Sequence, residues 1–302
     1  MQNMIKIAVL GGDMRQISAA KVLAENGYSV SLWGIDEVFC KMLGQTPCNN
    51  LNLALSGCRV LLLPLPVTED GAHLFCPLGS EGHRIHLLEI LEALPQDAFV
   101  LGGRINPNIK QLLTEKGLRH ADFLSNEEFQ IKNALPTAEG ALAIAMNELP
   151  ITIAGAKTAV IGYGRIGKIL ASKLKALDAE VTVAARKSAD LATIECNGLS
   201  PLFLQINGCQ NTLKALTKGY DVIFNTVPVR VIDESVIKEL SPSTLIIDLA
   251  SAPGGIDRNL AQKCGIKVIW ALSLPGKNSP ITAGKIIAQT VSEILETGGH
   301  NL

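Results

Sequence analysis

Three glycines in Gly162-Tyr163-Gly164-Arg165-Ile166-Gly167 have the spacing in this chain that carries the most chemistry. A G-x-G-x-x-G run between a strand and a helix makes a tight, bare turn on which a pyrophosphate can rest. Gly162 permits the turn, Gly164 lets backbone approach the ligand, and Gly167 lets helix and strand pack closely. First-turn N–H groups and the helix dipole favour the anion, which adds Arg165 and Ile166 to the candidate set. The competing reading is a glycine turn used only for packing. An NAD site carries Asp or Glu about 20 residues further on, for the ribose 2′-hydroxyl. Here that stretch is Val181-Thr182-Val183-Ala184-Ala185-Arg186-Lys187-Ser188, with two bases, a hydroxyl and no carboxylate. An acid would repel a 2′-phosphate, whereas Arg186 can pair with one. The expected cofactor is therefore NADP(H), met by Arg186, Lys187 and Ser188; a solvated loop is the alternative.

Ligands of open α/β sheets bind beyond the carboxyl ends of strands. Three polar, Gly/Pro-rich runs are predicted there: Asn225-Thr226-Val227-Pro228, Asp248-Leu249-Ala250-Ser251-Ala252-Pro253-Gly254-Gly255 and Leu274-Pro275-Gly276-Lys277. Asn225, Thr226, Val227, Pro228, Leu249, Ala250 and Ser251 are expected against the nicotinamide end, with ordinary turn chemistry as the bland account. Leu10-Gly11-Gly12-Asp13-Met14-Arg15 lacks a third glycine, so a second nucleotide site is not expected. Arg15 at a helix start suits a substrate carboxylate, since a guanidinium grips two oxygens; a surface salt bridge competes. Thr137 and Glu139, read as opening a helix, are candidates for substrate contact or proton handling, and Lys277 for a second carboxylate. Runs 63–68 and 102–104 end further strands of the first sheet. Histidines 73, 83, 86, 120 and 300 all lie away from Pro275, where a 2-hydroxy-acid dehydrogenase carries its acid/base His. His83 and His86 read as a solvated helix start. The seven cysteines show no CxxC pair and no zinc spacing, so buried thiols in a reducing cytosol and no metal are expected. No general base is assigned.

Those residues need elements to hold them. Short β-branched runs at 5–11, 28–33, 60–65, 99–101 and 118–124 alternate with helical periods at 16–26, 81–93 and 107–116. That alternation predicts a parallel sheet with helices on both faces. Two helices, 126–132 and 137–149, then break the rhythm, separated by Pro136 and ended by Pro150. The rhythm restarts at 158–161 and runs through strands at 180–184, 201–204, 221–225, 244–248 and 267–270. A lone amphipathic helix at 282–295 follows and is expected to pack on the first domain. The fold class is α/β, with two doubly wound parallel-sheet domains and a Rossmann dinucleotide-binding second one. The domains are 1–135, joined by 281–302, and 136–280, with their strand-end loops expected to line one cleft. Length and a 47% hydrophobic content suit two buried cores, and a net charge of −1 gives no case for nucleic acid or an anionic membrane. The start has no signal-peptide pattern and no apolar run approaches about 18 residues.

The chain resembles the A-subunit family of dipicolinate synthase nearly end to end. The matching stretches are Ile7-Ala-Val-Leu-Gly-Gly-Asp-Met-Arg-Gln16, Asn133-Ala-Leu-Pro-Thr-Ala-Glu-Gly140, Val160–Gly167, 185–192, 248–257, 274–276 and 282–284. Lys277-Asn278-Ser279 departs from the family pattern. The resemblance implies NADP-dependent oxidation of dihydrodipicolinate to dipicolinate for spores. It further implies a partner in the flavoprotein-like B-subunit of dipicolinate synthase, a small dicarboxylate substrate, and the cytoplasm of a sporulating mother cell. It also implies an architecture like that of the D-2-hydroxy-acid dehydrogenases. A homo-oligomer is expected, with no nucleic-acid or membrane partner. Another NADP-dependent oxidoreductase of a keto or imino dicarboxylic acid, or a non-catalytic NADP-binding protein, are the alternatives.

Overall fold

The computed structural model describes residues 4–79, 84–207 and 210–298. The chain begins β1 (Lys6–Leu10), α1 (Met14–Glu25), β2 (Ser29–Trp33), α2 (Glu37–Met42), α3 (Leu51–Leu55) and β3 (Val60–Leu62). It continues α4 (Leu87–Glu92), β4 (Phe99–Gly102), α5 (Pro107–Glu115) and β5 (Arg119–Asp122). All five strands are parallel, in the order β2-β1-β3-β4-β5. This is the flavodoxin-like order, with its switch point between β1 and β3. Ile7 and Val9 of β1 join one core cluster, while Ala8 and Leu10 join another on the opposite face. A strand covered on both faces has no polar alternation, which is why these runs are continuously apolar. Asp13 and Asn106 cap α1 and α5 by accepting from Arg15 N and Ile109 N, and Pro107 sits where no N–H is needed.

The next helix, α6 (Glu127–Glu148), is continuous, not the expected pair, with Pro136 inside it. Pro136 removes one intrahelical bond. The chain stays helical because its faces are buried: Phe129 belongs to the core around β1, and Ala138, Ala141 and Ala145 to the core of the second sheet. Thr137 and Glu139 therefore lie mid-helix, and the expected helix start does not exist there.

After α6 come β6 (Lys157–Ile161), α7 (Arg165–Ala176), β7 (Glu180–Ala185), α8 (Ser188–Cys196) and β8 (Ser200–Phe203). A short antiparallel pair, β9 (Ile206–Asn207) and β10 (Gln210–Asn211), is an addition to the expected elements; it precedes a 3-10 turn at Thr212–Leu216. Then follow β11 (Val222–Asn225), α9 (Glu234–Ile237), β12 (Leu245–Asp248), α10 (Arg258–Lys263), β13 (Lys267–Trp270), α11 (Leu274–Asn278) and α12 (Pro280–Gly298). The second sheet runs β13-β12-β11-β6-β7-β8, all parallel. Counted within its own domain this is 6-5-4-1-2-3, the Rossmann order, with the switch between β6 and β11.

Contacts divide the chain into two units: up to Asn133 with Ser279 onward, and Ala134–Asn278. Within the first, α12 lies along α1. A Cβ at Gly284 would overlap the Arg15 carbonyl oxygen, and the Ser18 hydroxyl donates to the Ile281 carbonyl at 3.0 Å. Within the second, the run expected to be a loop at 274–278 is helical. Gly140 lets α11 approach, since a Cβ there would stand 2.9 Å from Leu274 Cβ. The expected helix at 81–93 forms over α4; residues 81–83, like Cys209, His300 and the end of the 281–302 segment, lie outside the described residues. Among the described residues no helix is long and apolar enough to cross a membrane.

Candidate functional site

The glycine turn leaves β6 and opens α7. Gly162 has φ +99, and its N–H donates to the Ala184 carbonyl at 2.8 Å. A Cβ at Gly167 would overlap the Gly162 carbonyl, so that glycine is required for the helix to approach the strand. Gly164 differs. Its φ is −84, it is exposed, and a Cβ there would meet nothing within 4 Å. Neither strain nor packing inside the protein calls for glycine at 164. The bare backbone and open space suit a ligand drawn close to the end of α7, where no side chain caps the N–H groups. These features fit a dinucleotide pyrophosphate.

Asn225, at the end of β11, is fully buried. Its Nδ2 donates to Asp248 Oδ1 at 2.8 Å and to the Val227 carbonyl at 3.0 Å, and its Oδ1 accepts from Val227 N. Asp248 accepts from Ala250 N at 3.2 Å and Gly255 N at 2.8 Å. The Asn225 side chain is thus spent on the loop frame, and its part at the site is to shape Val227 and Pro228. The Thr226 hydroxyl donates to the Ile161 carbonyl at 2.9 Å and lies beneath Gly162, so it too supports the glycine turn. Trp270 Nε1 donates to the Ala250 carbonyl at 2.8 Å, while Leu249 and Ala250 are buried and Ser251 is exposed. These buried hydrogen bonds fix a rigid edge, because each unmade one would cost about 1–3 kcal/mol.

Arg186, Lys187 and Ser188 are all exposed where β7 passes into α8. Neither cation has an ion-pair partner among the described residues. β7 is the direct neighbour of β6, so this free charge stands one strand along from the glycine turn, where it suits a phosphate.

The first unit's edge is built from the GGDMRQ run. Gly11 and Gly12 have φ +58 and +88, and Gly12 N donates to the Phe75 carbonyl at 2.7 Å. Arg15 is 6% exposed, so it is no surface salt bridge. Its Nε and Nη2 fork onto the Asp13 carboxylate at 2.9 and 2.8 Å, and Nη2 also donates to the Leu65 carbonyl. Asp13 thus fills the fork edge expected for a substrate carboxylate. Gln16 Nε2 reaches the Leu62 carbonyl at 3.1 Å, completing a lock between α1 and β3. Glu139 is exposed and pairs with Lys173 of α7 at 2.9 Å, while Thr137 is half-buried and bonded. Lys277 is exposed on the last turn of α11.

Two features escape sequence reasoning. Asp70 binds His73 Nδ1 at 2.7 Å and Arg84 at 3.0 Å. Backbone N–H donors from His73 and Ala72 hold its carboxyl well below the usual range. A Thr-x-Asp-Gly turn is the available signal. Arg104 adopts φ +60, which nothing in residue type announces. His86 caps α4, its Nδ1 accepting from Leu88 N at 3.2 Å. Cys40, Cys58 and Cys76 are pushed up to about 11 by burial, so they stand as thiols near neutral pH.

Comparison with known proteins follows the two sheets. Residues 6–124 match the model of the dipicolinate synthase A-subunit N-terminal domain, and residues 157–252 match that of the coenzyme F420-dependent NADP oxidoreductases. The chain is 33% identical over 96% of its length to the dipicolinate synthase A-subunit of Bacillus subtilis (strain 168), covering 96% of that protein. The crystal structure of the dipicolinate synthase A-subunit from Bacillus halodurans superposes with a TM-score of 0.86 at 32% identity, over 96% of this chain and 97% of that one. D-lactate dehydrogenase of Escherichia coli shares the fold at 14% identity, with a TM-score of 0.61 over 97% of this chain and 98% of that one.

Proposed function

This chain belongs to the dipicolinate synthase A-subunit family, and from that premise we propose that it oxidises dihydrodipicolinate to dipicolinate with NADP⁺, working with the B-subunit of that enzyme. The observation that carries the cofactor half is the Gly164 opening at the bare start of α7, with the unpaired Arg186 and Lys187 at the end of β7. The pyrophosphate rests on Arg165, Ile166 and Gly167 N–H groups, and the 2′-phosphate meets Arg186, Lys187 and the Ser188 hydroxyl. Val227, Pro228, Leu249, Ala250 and Ser251 flank the nicotinamide end, held by the Asn225–Asp248 frame. When bound, NADP⁺ supplies the hydride acceptor. The protein's own task is to hold the substrate and keep bulk water from the reacting carbon, because loss of a hydride to the cofactor and of a proton to solvent, toward an aromatic product, is strongly downhill. The carboxyl edge of the first sheet takes the dicarboxylate. Arg15, its charge balanced by Asp13 and its Nη2 tied to the Leu65 carbonyl, braces that edge. Glu139, tied to Lys173, supports α6 beside α7 within the second unit.

Arg186→Ala is the direct test of the cofactor. A charge-assisted hydrogen bond worth about 1.5–3 kcal/mol corresponds to roughly ten- to a hundredfold in affinity. Titration of the purified variant is expected to show that loss for NADP⁺ and little change for NAD⁺. Equal losses for both would remove the 2′-phosphate role.

A further inference from the structure

We propose that Arg104 is the residue that grips a substrate carboxylate at the edge of the first sheet; the inference rests on the dicarboxylate reading above. Arg104 ends the Gly102-Gly103-Arg104 run just beyond β4, whose neighbour in the sheet is β3, one side of the switch point. Its backbone sits at φ +60, a region an L side chain with a Cβ rarely adopts and glycine takes freely.

The surrounding structure enforces that conformation. Arg104 N and Ile105 N donate to the two Asp122 oxygens at 3.0 and 2.8 Å. The same carboxylate accepts from Leu124 N at 2.9 Å, so it is anchored in turn. Gly103 is pressed from both sides: a Cβ there would stand 2.7 Å from the Phe123 ring and 2.8 Å from Leu65 Cβ. Gly103 N donates to the Pro64 carbonyl at 3.2 Å, and Val67 N to the Gly103 carbonyl at 3.1 Å. The loop cannot relax, and a strained arginine stands where glycine would stand unstrained. Strain held in place by surrounding contacts is a mark of function.

The guanidinium matches that role. It is exposed and has no hydrogen-bond or ion-pair partner among the described residues. Arg15, one loop away, shares Leu65 with this loop, because Leu65 packs on Gly103 and gives its carbonyl to Arg15. Arg15 has its charge balanced by Asp13, and Arg104 does not. A planar guanidinium meets a carboxylate through two parallel hydrogen bonds, which an ammonium cannot reproduce.

The strain also supplies a clean experiment. Arg104→Gly removes the guanidinium and leaves a residue suited to φ +60, so its melting temperature is expected to equal or exceed that of the parent chain. Dipicolinate is titrated into the full-length parent, Arg104→Gly and Arg104→Lys, with NADP⁺ affinity measured in parallel. Arg104→Gly should weaken dipicolinate at least tenfold and raise KM for dihydrodipicolinate similarly, with NADP⁺ affinity unchanged. Arg104→Lys should recover only part of that loss. Parent-like dipicolinate affinity in Arg104→Gly would overturn the assignment alone. A parent chain that binds no dipicolinate would overturn the functional reading and this assignment with it.

Discussion

At the residue scale, three glycines of one motif have three different reasons to be glycine. Gly162 needs its positive φ, Gly167 needs the missing Cβ, and Gly164 needs neither. Gly164→Val places a β-branched residue at φ −84 and ψ −162, extended backbone that valine favours. The variant should melt within a few degrees of the parent and lose dinucleotide binding at least tenfold, as read by fluorescence titration. Retained affinity would mean the open space beside Gly164 is not the pyrophosphate seat. The motif is legible because strand, turn and helix are adjacent in the chain. The Asn225–Asp248 frame is not, because the two side chains are 23 residues apart in sequence and meet only once β11 and β12 pair. Arg15 is legible as a cation in a glycine turn, but residue type does not say that Asp13, two residues earlier, takes its fork. Arg104 is legible as the end of a strand-end run, but its strain is not, because strain resides in φ and not in residue type.

At the element scale, Pro136 reads as a stop and yet lies within α6. A proline costs about 3 kcal/mol in a helix interior. Burial of Phe129 on one side of it and Ala138, Ala141 and Ala145 on the other keeps the helix continuous. Periodicity alone cannot weigh that packing against a missing N–H. Leu274-Pro275-Gly276 likewise reads as a loop, and α11 forms there because Gly140 admits it. The Thr282-Ala283-Gly284 run belongs to the contact of α12 with α1, where Gly284 meets Arg15 and Ser18 backbone and side-chain atoms. Gly284→Leu must push the two helices apart, an overpacking cost of about 1–3 kcal/mol. Thermal unfolding should shift down by several degrees. An unchanged melting temperature would show that α12 is not held against α1 at this point.

At the scale of the whole molecule, the β/α rhythm of the chain is enough to predict two parallel sheets, because right-handed crossovers leave few other ways to bury strands on both faces. The sheet orders, β2-β1-β3-β4-β5 and β13-β12-β11-β6-β7-β8, emerge from pairing and are not readable from the order of elements alone. Each order creates a switch point, and the glycine-rich loops at Gly11–Gly12 and Gly162–Gly167 open at the two of them. The second sheet thus carries the glycine turn suited to a dinucleotide and the first an arginine-bearing edge, and the function proposed above is the oxidation of a cyclic dicarboxylate. The most direct measurement supplies the purified full-length chain with dihydrodipicolinate and NADP⁺, with and without the B-subunit, and follows dipicolinate and NADPH by absorbance. The account predicts that both products appear in equal amounts. Formation of neither product, in either mixture, would contradict it.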